Sequence, residues 1–172
     1  VKEAKFTVPG EPRGKGRPRF ATRKTKDGRT FAKAYTPNET VVYENLVRME
    51  YERQCGGIFF PKDTPVEMSI TAYYQIPKSV SKKKARMMLE GKIRPLRKPD
   101  STNVQKSIED GINTVAYHDD AQIVDSQICR YYGEIPRVEV TIREIVQEGE
   151  NADAQGKADT GNDMRRSGTG EG

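Results

Sequence analysis

Lys98-Pro99-Asp100-Ser101-Thr102-Asn103-Val104-Gln105-Lys106 runs on through Glu109-Asp110-Gly111 to Tyr117-His118-Asp119-Asp120-Ala121-Gln122-Ile123. This one segment holds a helix start, an acidic turn and a strand start. Thr102-x-x-Gln105 has capping-box spacing, so Thr102 is the expected N-cap of a helix ending near Asn113. Val104, Ile108 and Ile112 then share an inward face, and Asn103, Lys106, Asp110 and Asn113 a polar one. Asp100 precedes the helix, where the positive end of the dipole favours its ionised form. Neighbours in extended chain point to opposite sides, so only one of Asp119 and Asp120 is expected to share a site with Asp100. Converging carboxylates make a hard oxygen site of the kind Mg2+ accepts, completed by waters and phosphate oxygens. Lys106 beside it would hold a phosphate and stabilise charge developing during attack.

A plainer reading stands next to this one. Lys98-Pro99-Asp100 and Asp119-Asp120 are also ordinary turn sequences. Lys106 and Asp110 are an i,i+4 pair, worth only a few tenths of a kcal/mol on an exposed helix. His118, the sole histidine, is expected to face solvent or serve structure.

Outward from this segment, the remaining pattern predicts an α+β fold with a small mixed sheet. Lys5 to Val8 reads as a short strand. Thr36-Pro37-Asn38-Glu39 predicts a helix capped by Thr36 with Glu39 completing a capping box, and Gly56-Gly57 ends it. Val42, Leu46 and Met49 lie at helical intervals along it, with Tyr43 and Val47 beside them. Val66 to Tyr73 and Val138 to Ile145 alternate apolar and polar as half-buried strands, and Ile123 to Tyr132 is a third. Ser81 to Leu89 is a short basic helix. The expected organisation is one domain over residues 1–146, with a mobile basic loop at 10–35. An acidic, Gly-rich disordered tail is expected over 147–172.

Charge is unevenly spread. Thirty Lys and Arg against 25 Asp and Glu leave +5. From Gly10 to Lys33, however, nine cations face only Glu11 and Asp27, and from Lys78 to Lys98 nine face only Glu90. Such clusters attract phosphate backbones by counterion release, although one cluster alone is commonly a solvated face. The Gly14-Lys15-Gly16-Arg17-Pro18-Arg19 run lacks the spacing of a phosphate-binding P-loop. No apolar run approaches the roughly 20 residues of a membrane span. Cys55 and Cys129 are too few for a disulfide scaffold or a zinc site, and unpaired thiols suit a reducing cytoplasm.

The segment resembles the RusA family of Holliday-junction resolvases, in particular its bacteriophage and prophage members. Pro99, Asp100, Asn103, Lys106, Asp110, Asp119, Asp120, Gln122 and Ile123 follow the family pattern in order and spacing. Val8-Pro9-Gly10, Gly16-Arg17-Pro18-Arg19 and Tyr35-Thr36-Pro37 also resemble phage members, and the similarity spans about residues 3 to 145. The resemblance implies a homodimeric endonuclease that binds four-way DNA junctions by shape and cuts two opposed strands with Mg2+, or with Mn2+ in its place. No membrane association and no small-molecule cofactor are expected. It implies catalytic roles for Asp100, Asp120 and Lys106, with metal ligation by Asp100 and Asp120 and secondary candidates in Thr102 and Asp119. Expected DNA contacts are Arg13, Lys15, Arg17, Arg19, Lys98, Asn103 and Lys106.

One position departs from the pattern. The family places a second Asp two residues after the first, and here that position is Thr102. A hydroxyl is a poorer Mg2+ ligand and carries no charge. Three outcomes stay open: weak coordination by Thr102, replacement by Glu109 or Asp110, or a protein that binds junctions and cuts poorly.

Overall fold

The computed structural model describes residues 1–147, so nearly all of the expected tail lies outside the described residues. Four strands form one mixed sheet: β1 (Glu3–Pro9), β4 (Val66–Gln75), β5 (Ile123–Gly133) and β6 (Arg137–Glu144). Their order is β1-β6-β4-β5. The β1/β6 and β6/β4 pairs are antiparallel and β4/β5 is parallel. A parallel pair needs a long crossover, because a tight turn cannot bring the chain back to the same end. That crossover carries α2 (Lys82–Leu89) and α3 (Ser101–Ile112), and with α3 the whole segment from Lys98 to Ile123.

One face of the sheet is covered. Phe6 and Val8 of β1, Met68, Ile70 and Tyr74 of β4, and Val138, Val140 and Ile142 of β6 are all buried. They pack with Tyr43, Val47 and Tyr51 of α1 (Asn38–Cys55) and with Val104, Ile108 and Ile112 of α3. Each such side chain contributes about 1.5–3 kcal/mol of burial. Phe6 meets Tyr51 edge-on, with centroids 5.3 Å apart. The opposite face is polar, with Arg143 bridging Glu3 and Glu67 at 2.8 and 2.7 Å across three strands. α2 packs beside β5 and is capped by Ser81, whose hydroxyl accepts from the Lys84 amide.

Three local expectations are corrected. Arg19–Lys24 (β2) and Thr30–Tyr35 (β3) pair as an antiparallel hairpin where a loop was expected across residues 10–35. Thr36 does not cap α1: Pro37 occupies that position with no side-chain cap, and its carbonyl accepts from the Thr40 amide. The β3 strand, running to Tyr35, holds Thr36 in the approach to the helix. The inward stripe of α1 is Tyr43, Val47 and Tyr51, whereas Val42 and Met49 lie outside, 63% and 53% exposed. Apolar spacing alone could not choose between two stripes of similar period.

Candidate nuclease site

The first turn of α3 is built around Asp100. Asp100, not Thr102, is the N-cap: its Oδ1 accepts from the Asn103 amide at 3.0 Å. The Asn103 side-chain Nδ2 donates to Asp100 Oδ2 at 2.8 Å, so both carboxylate oxygens are engaged. The cap shifts by two residues because an Asp with β-region backbone serves the N3 amide as well as a Thr does. Hydrogen bonds from the Asn103 amide and side chain hold Asp100 below the ordinary aspartate value, with a smaller contribution from the charge of Arg130. Thr102 is left exposed in the first turn.

A second group lies two turns along the helix. Lys106 Nζ contacts Asp120 Oδ2 at 2.7 Å, Asp110 Oδ1 at 3.2 Å and Glu109 Oε2 at 4.0 Å. The bond to Asp120 comes first in raising the Lys106 pKa well above its ordinary 10.5, outweighing partial burial. The same bond holds Asp120 below the ordinary aspartate range. Lys106 is therefore a fixed ammonium, suited to binding an anion and unsuited to removing a proton at neutral pH.

The acidic turn explains why Asp120 arrives there. Asp119 Oδ1 accepts from the Ala121 amide and closes a capping box with Gln122. Gln122 Oε1 accepts from the amides of His118 and Asp119, while its Nε2 donates to the carbonyls of Pro61 and Thr64 at 2.8 and 3.0 Å. Gln122 thus ties the turn to a neighbouring loop and presents Asp120 to Lys106. Asp119 is committed to the turn, and His118 is exposed.

The expected DNA contacts divide into two groups. Lys15 and Asn103 are engaged within the protein. The Lys15 ammonium binds Asp110 and, at 3.3 Å, Glu44, and its amide donates to the Asn103 carbonyl. Desolvation acts to lower the Lys15 pKa, but the bond to Asp110 and the charges of Asp110 and Glu44 raise it overall. Lys106 is clamped as described. Arg13, Arg17, Arg19 and Lys98 are exposed. Arg17 and Lys98 line an open cleft of about 550 Å3 with Gly14, Pro99, Asp100 and Asn103. Gly14 is what lets the basic segment lie against α3, since a Cβ there would fall 2.8 Å from Pro99 Cβ and 2.9 Å from Asn103 Cβ. Ser107 Oγ donates to the Arg13 carbonyl at 2.7 Å and fixes the same segment.

Sequence reasoning missed Arg97, Arg130, Tyr74 and Glu44. Tyr74 donates its hydroxyl to the Pro99 carbonyl at 3.0 Å, anchoring the residue before Asp100 to β4. Arg97 and Arg130 flank the Tyr74 ring at 5.5 and 5.1 Å. Arg130 lies in a strand that alternates without distinction, and only the structure shows its guanidinium donating to the Arg97 carbonyl and its charge acting on Asp100.

The donor set can be tested against a divalent ion. Among the described residues no group of three or more His, Cys, Asp or Glu side chains is placed to hold a metal. Asp100 and Asp120 are ionised carboxylates that keep free lone pairs. Mg2+ is commonly held by one or two carboxylates with waters and phosphate oxygens as the rest. Asp100 lines the cationic cleft while Asp120 is held by Lys106 two turns along α3, so at the cleft that lesser requirement is met by one carboxylate.

The parallel crossover of the mixed sheet thus carries ionised carboxylates and a fixed ammonium, and with the segment around Arg17 it lines a cationic cleft, a charge pattern suited to phosphate groups. The family model for the endodeoxyribonuclease RusA matches residues 9–143. The chain is also 37% identical over 143 residues to the uncharacterized protein YqaN of Bacillus subtilis (strain 168), spanning 82% of this chain and 96% of that protein. The chain belongs to the RusA endodeoxyribonuclease family.

Proposed function

We propose that the protein is a divalent-metal-dependent endonuclease that resolves four-way DNA junctions in recombination and repair. It would act as a cytoplasmic homodimer, two copies bringing two sites to opposed strands. The observation that carries this reading is the Asp100–Asn103 cap facing Arg17 and Lys98 across one cleft, continued along α3 by the Lys106–Asp120 pair. Asp100 and Asp120 would hold Mg2+ or Mn2+, with Thr102 in a lesser role, while Asp119 caps the turn that carries Asp120. The bound ion supplies an activated water and neutralises phosphate charge. Asn103 orients Asp100 and keeps it ionised. Lys106 offers a positive charge to the phosphate under attack, and Arg17 and Lys98 hold the backbone on either side.

A second reading is a junction-binding protein with weak cleavage. It is favoured by the exposed hydroxyl at position 102 and by the engagement of Glu109, Asp110 and Asp120 with the Lys106 ammonium, no group of three being placed to hold a metal among the described residues. One experiment separates the two: cleavage of a synthetic four-way junction beside linear duplex, in Mg2+ and in EDTA. Paired nicks on the junction in Mg2+ alone are expected. Binding without nicks at any metal concentration would favour the second reading, and neither binding nor nicks would overturn both.

A further inference from the structure

The β2–β3 hairpin stands at the surface. Every residue from 17 to 36 is exposed. An isolated two-stranded ribbon is marginal in water, because it has no face to bury. Yet this one carries three exposed aromatic rings: Phe20 at 72%, Phe31 at 57% and Tyr35 at 47%. From Arg19 to Tyr35 it also carries six cations against the single Asp27.

The strand register sorts these side chains. Arg19 pairs with Tyr35, Ala21 with Lys33 and Arg23 with Phe31. Paired residues lie on the same side of a ribbon and alternate along it, so these six residues share one face. That face reads as a cation beside an aromatic at each end, with Lys33 between them and only Ala21 opposite. The other face has Phe20 alone, among Thr22, Lys24, Thr30, Ala32 and Ala34. Rows on the face recur about every 7 Å.

A cationic groove for the backbone with aromatic platforms for bases is the chemistry of single-stranded nucleic acid binding. Paired bases in a duplex are already stacked on each other and offer no free ring face. Unstacked bases at a branch point do.

We propose that the Arg19–Arg23–Phe31–Lys33–Tyr35 face of the β2–β3 hairpin is a stacking platform for unpaired or unstacked DNA bases, through which the protein distinguishes a branch point from continuous duplex. Phe31 and Tyr35 take the bases, and Arg19, Arg23 and Lys33 take the flanking phosphates. The inference rests on the DNA-junction reading above but concerns binding alone.

The test uses the full chain and three probes: a four-way junction with 2-aminopurine at the branch point, a single-stranded oligonucleotide, and a linear duplex. F31A/Y35A is compared with F20A, which removes an aromatic from the opposite face. All three rings lie outside the core, so circular dichroism and melting temperature should not change. For F31A/Y35A, roughly tenfold weaker binding per ring is expected on the junction and the single strand. Duplex affinity should hold, and the 2-aminopurine signal seen with the unaltered protein should disappear. F20A should resemble the unaltered protein. Equal loss on all three probes, or no loss on any, would overturn the proposal. So would F20A matching F31A/Y35A. Failure of the nuclease reading appears separately, as junction binding by the unaltered protein with no cleavage in Mg2+.

Discussion

Asp100 has two duties, and a conservative substitution separates them. Its carboxylate caps α3, and its charge is the first candidate for holding a metal. Asn is as good an N-cap as Asp, whereas Ala costs about 1 kcal/mol. Asp100→Asn should therefore abolish junction cleavage while stability holds and junction binding survives. Asp100→Ala should lose cleavage and melt lower as well. Retained cutting by the Asn variant would remove Asp100 from the chemistry. Thr102→Asp asks the complementary question. A large gain in cleavage rate would mean that the native site is short of a carboxylate, and an unchanged rate would mean that Glu109 or Asp110 already supplies it.

The ionisation states make a third test. Asp100 and Asp120 are held below the ordinary aspartate value and Lys106 above 10.5. The stabilisation from the two carboxylates is present above the unfolded value near 4 and is lost as pH falls through the lowered folded values. That from Lys106 is complete below its unfolded value and is lost as pH rises through the raised one. None of the three titrates between about pH 5 and 9. Lys106→Arg, which keeps the charge, should leave the shape of the cleavage pH profile unchanged over that range. An inflection near neutrality that vanishes in this variant would instead make Lys106 a base.

At the level of elements, the decisive contact is the close approach of α1 to α3. Gly111 has no room for a Cβ, which would fall 2.8 Å from Val47 Cβ and 3.1 Å from the Glu44 carbonyl. Gly111→Ala should destabilise the protein by about 1–3 kcal/mol through overpacking, measured by urea unfolding. It should also disturb Glu44 and its partner Lys15.

The existence of α3 and its buried face of Val104, Ile108 and Ile112 were legible from apolar spacing. Its cap was not, since Asp100 and Thr102 are both good cap residues and only backbone geometry selects between them. The hairpin was hidden for a related reason. Pairing in a fully exposed ribbon leaves no apolar alternation to read, and the neighbouring Gly and Pro suggested a loop. Lys15 could be recognised as basic, but its partners Glu44 and Asp110 come from two other elements. Gln122 belonged to a motif without an evident duty until the Pro61–Thr64 loop supplied its acceptors.

For the whole molecule, charge placement matters more than charge total. Of the cations near Asp100, Lys15 and Lys106 already have carboxylate partners, whereas no carboxylate lies within ion-pair distance of Arg17 or Lys98 among the described residues. Counterion release therefore predicts that Arg17→Gln and Lys98→Gln each weaken binding on junction and duplex alike. Each should also reduce the salt slope of log K by about one. A slope unchanged in both variants would place the backbone path elsewhere on the surface.

The site-bearing segment is the connection between two adjacent parallel strands, and this governs how the molecule fails on heating. Asp100 is tied to β4 through Pro99 and Tyr74, and Asp120 leads directly into β5. Parting these strands would separate Asp100 from Asp120, so cleavage and fold are expected to be lost together as one unit. Residual nicking activity and the far-ultraviolet signal should fall along a single curve, whereas the hairpin amides, outside that unit, should exchange with solvent well before it.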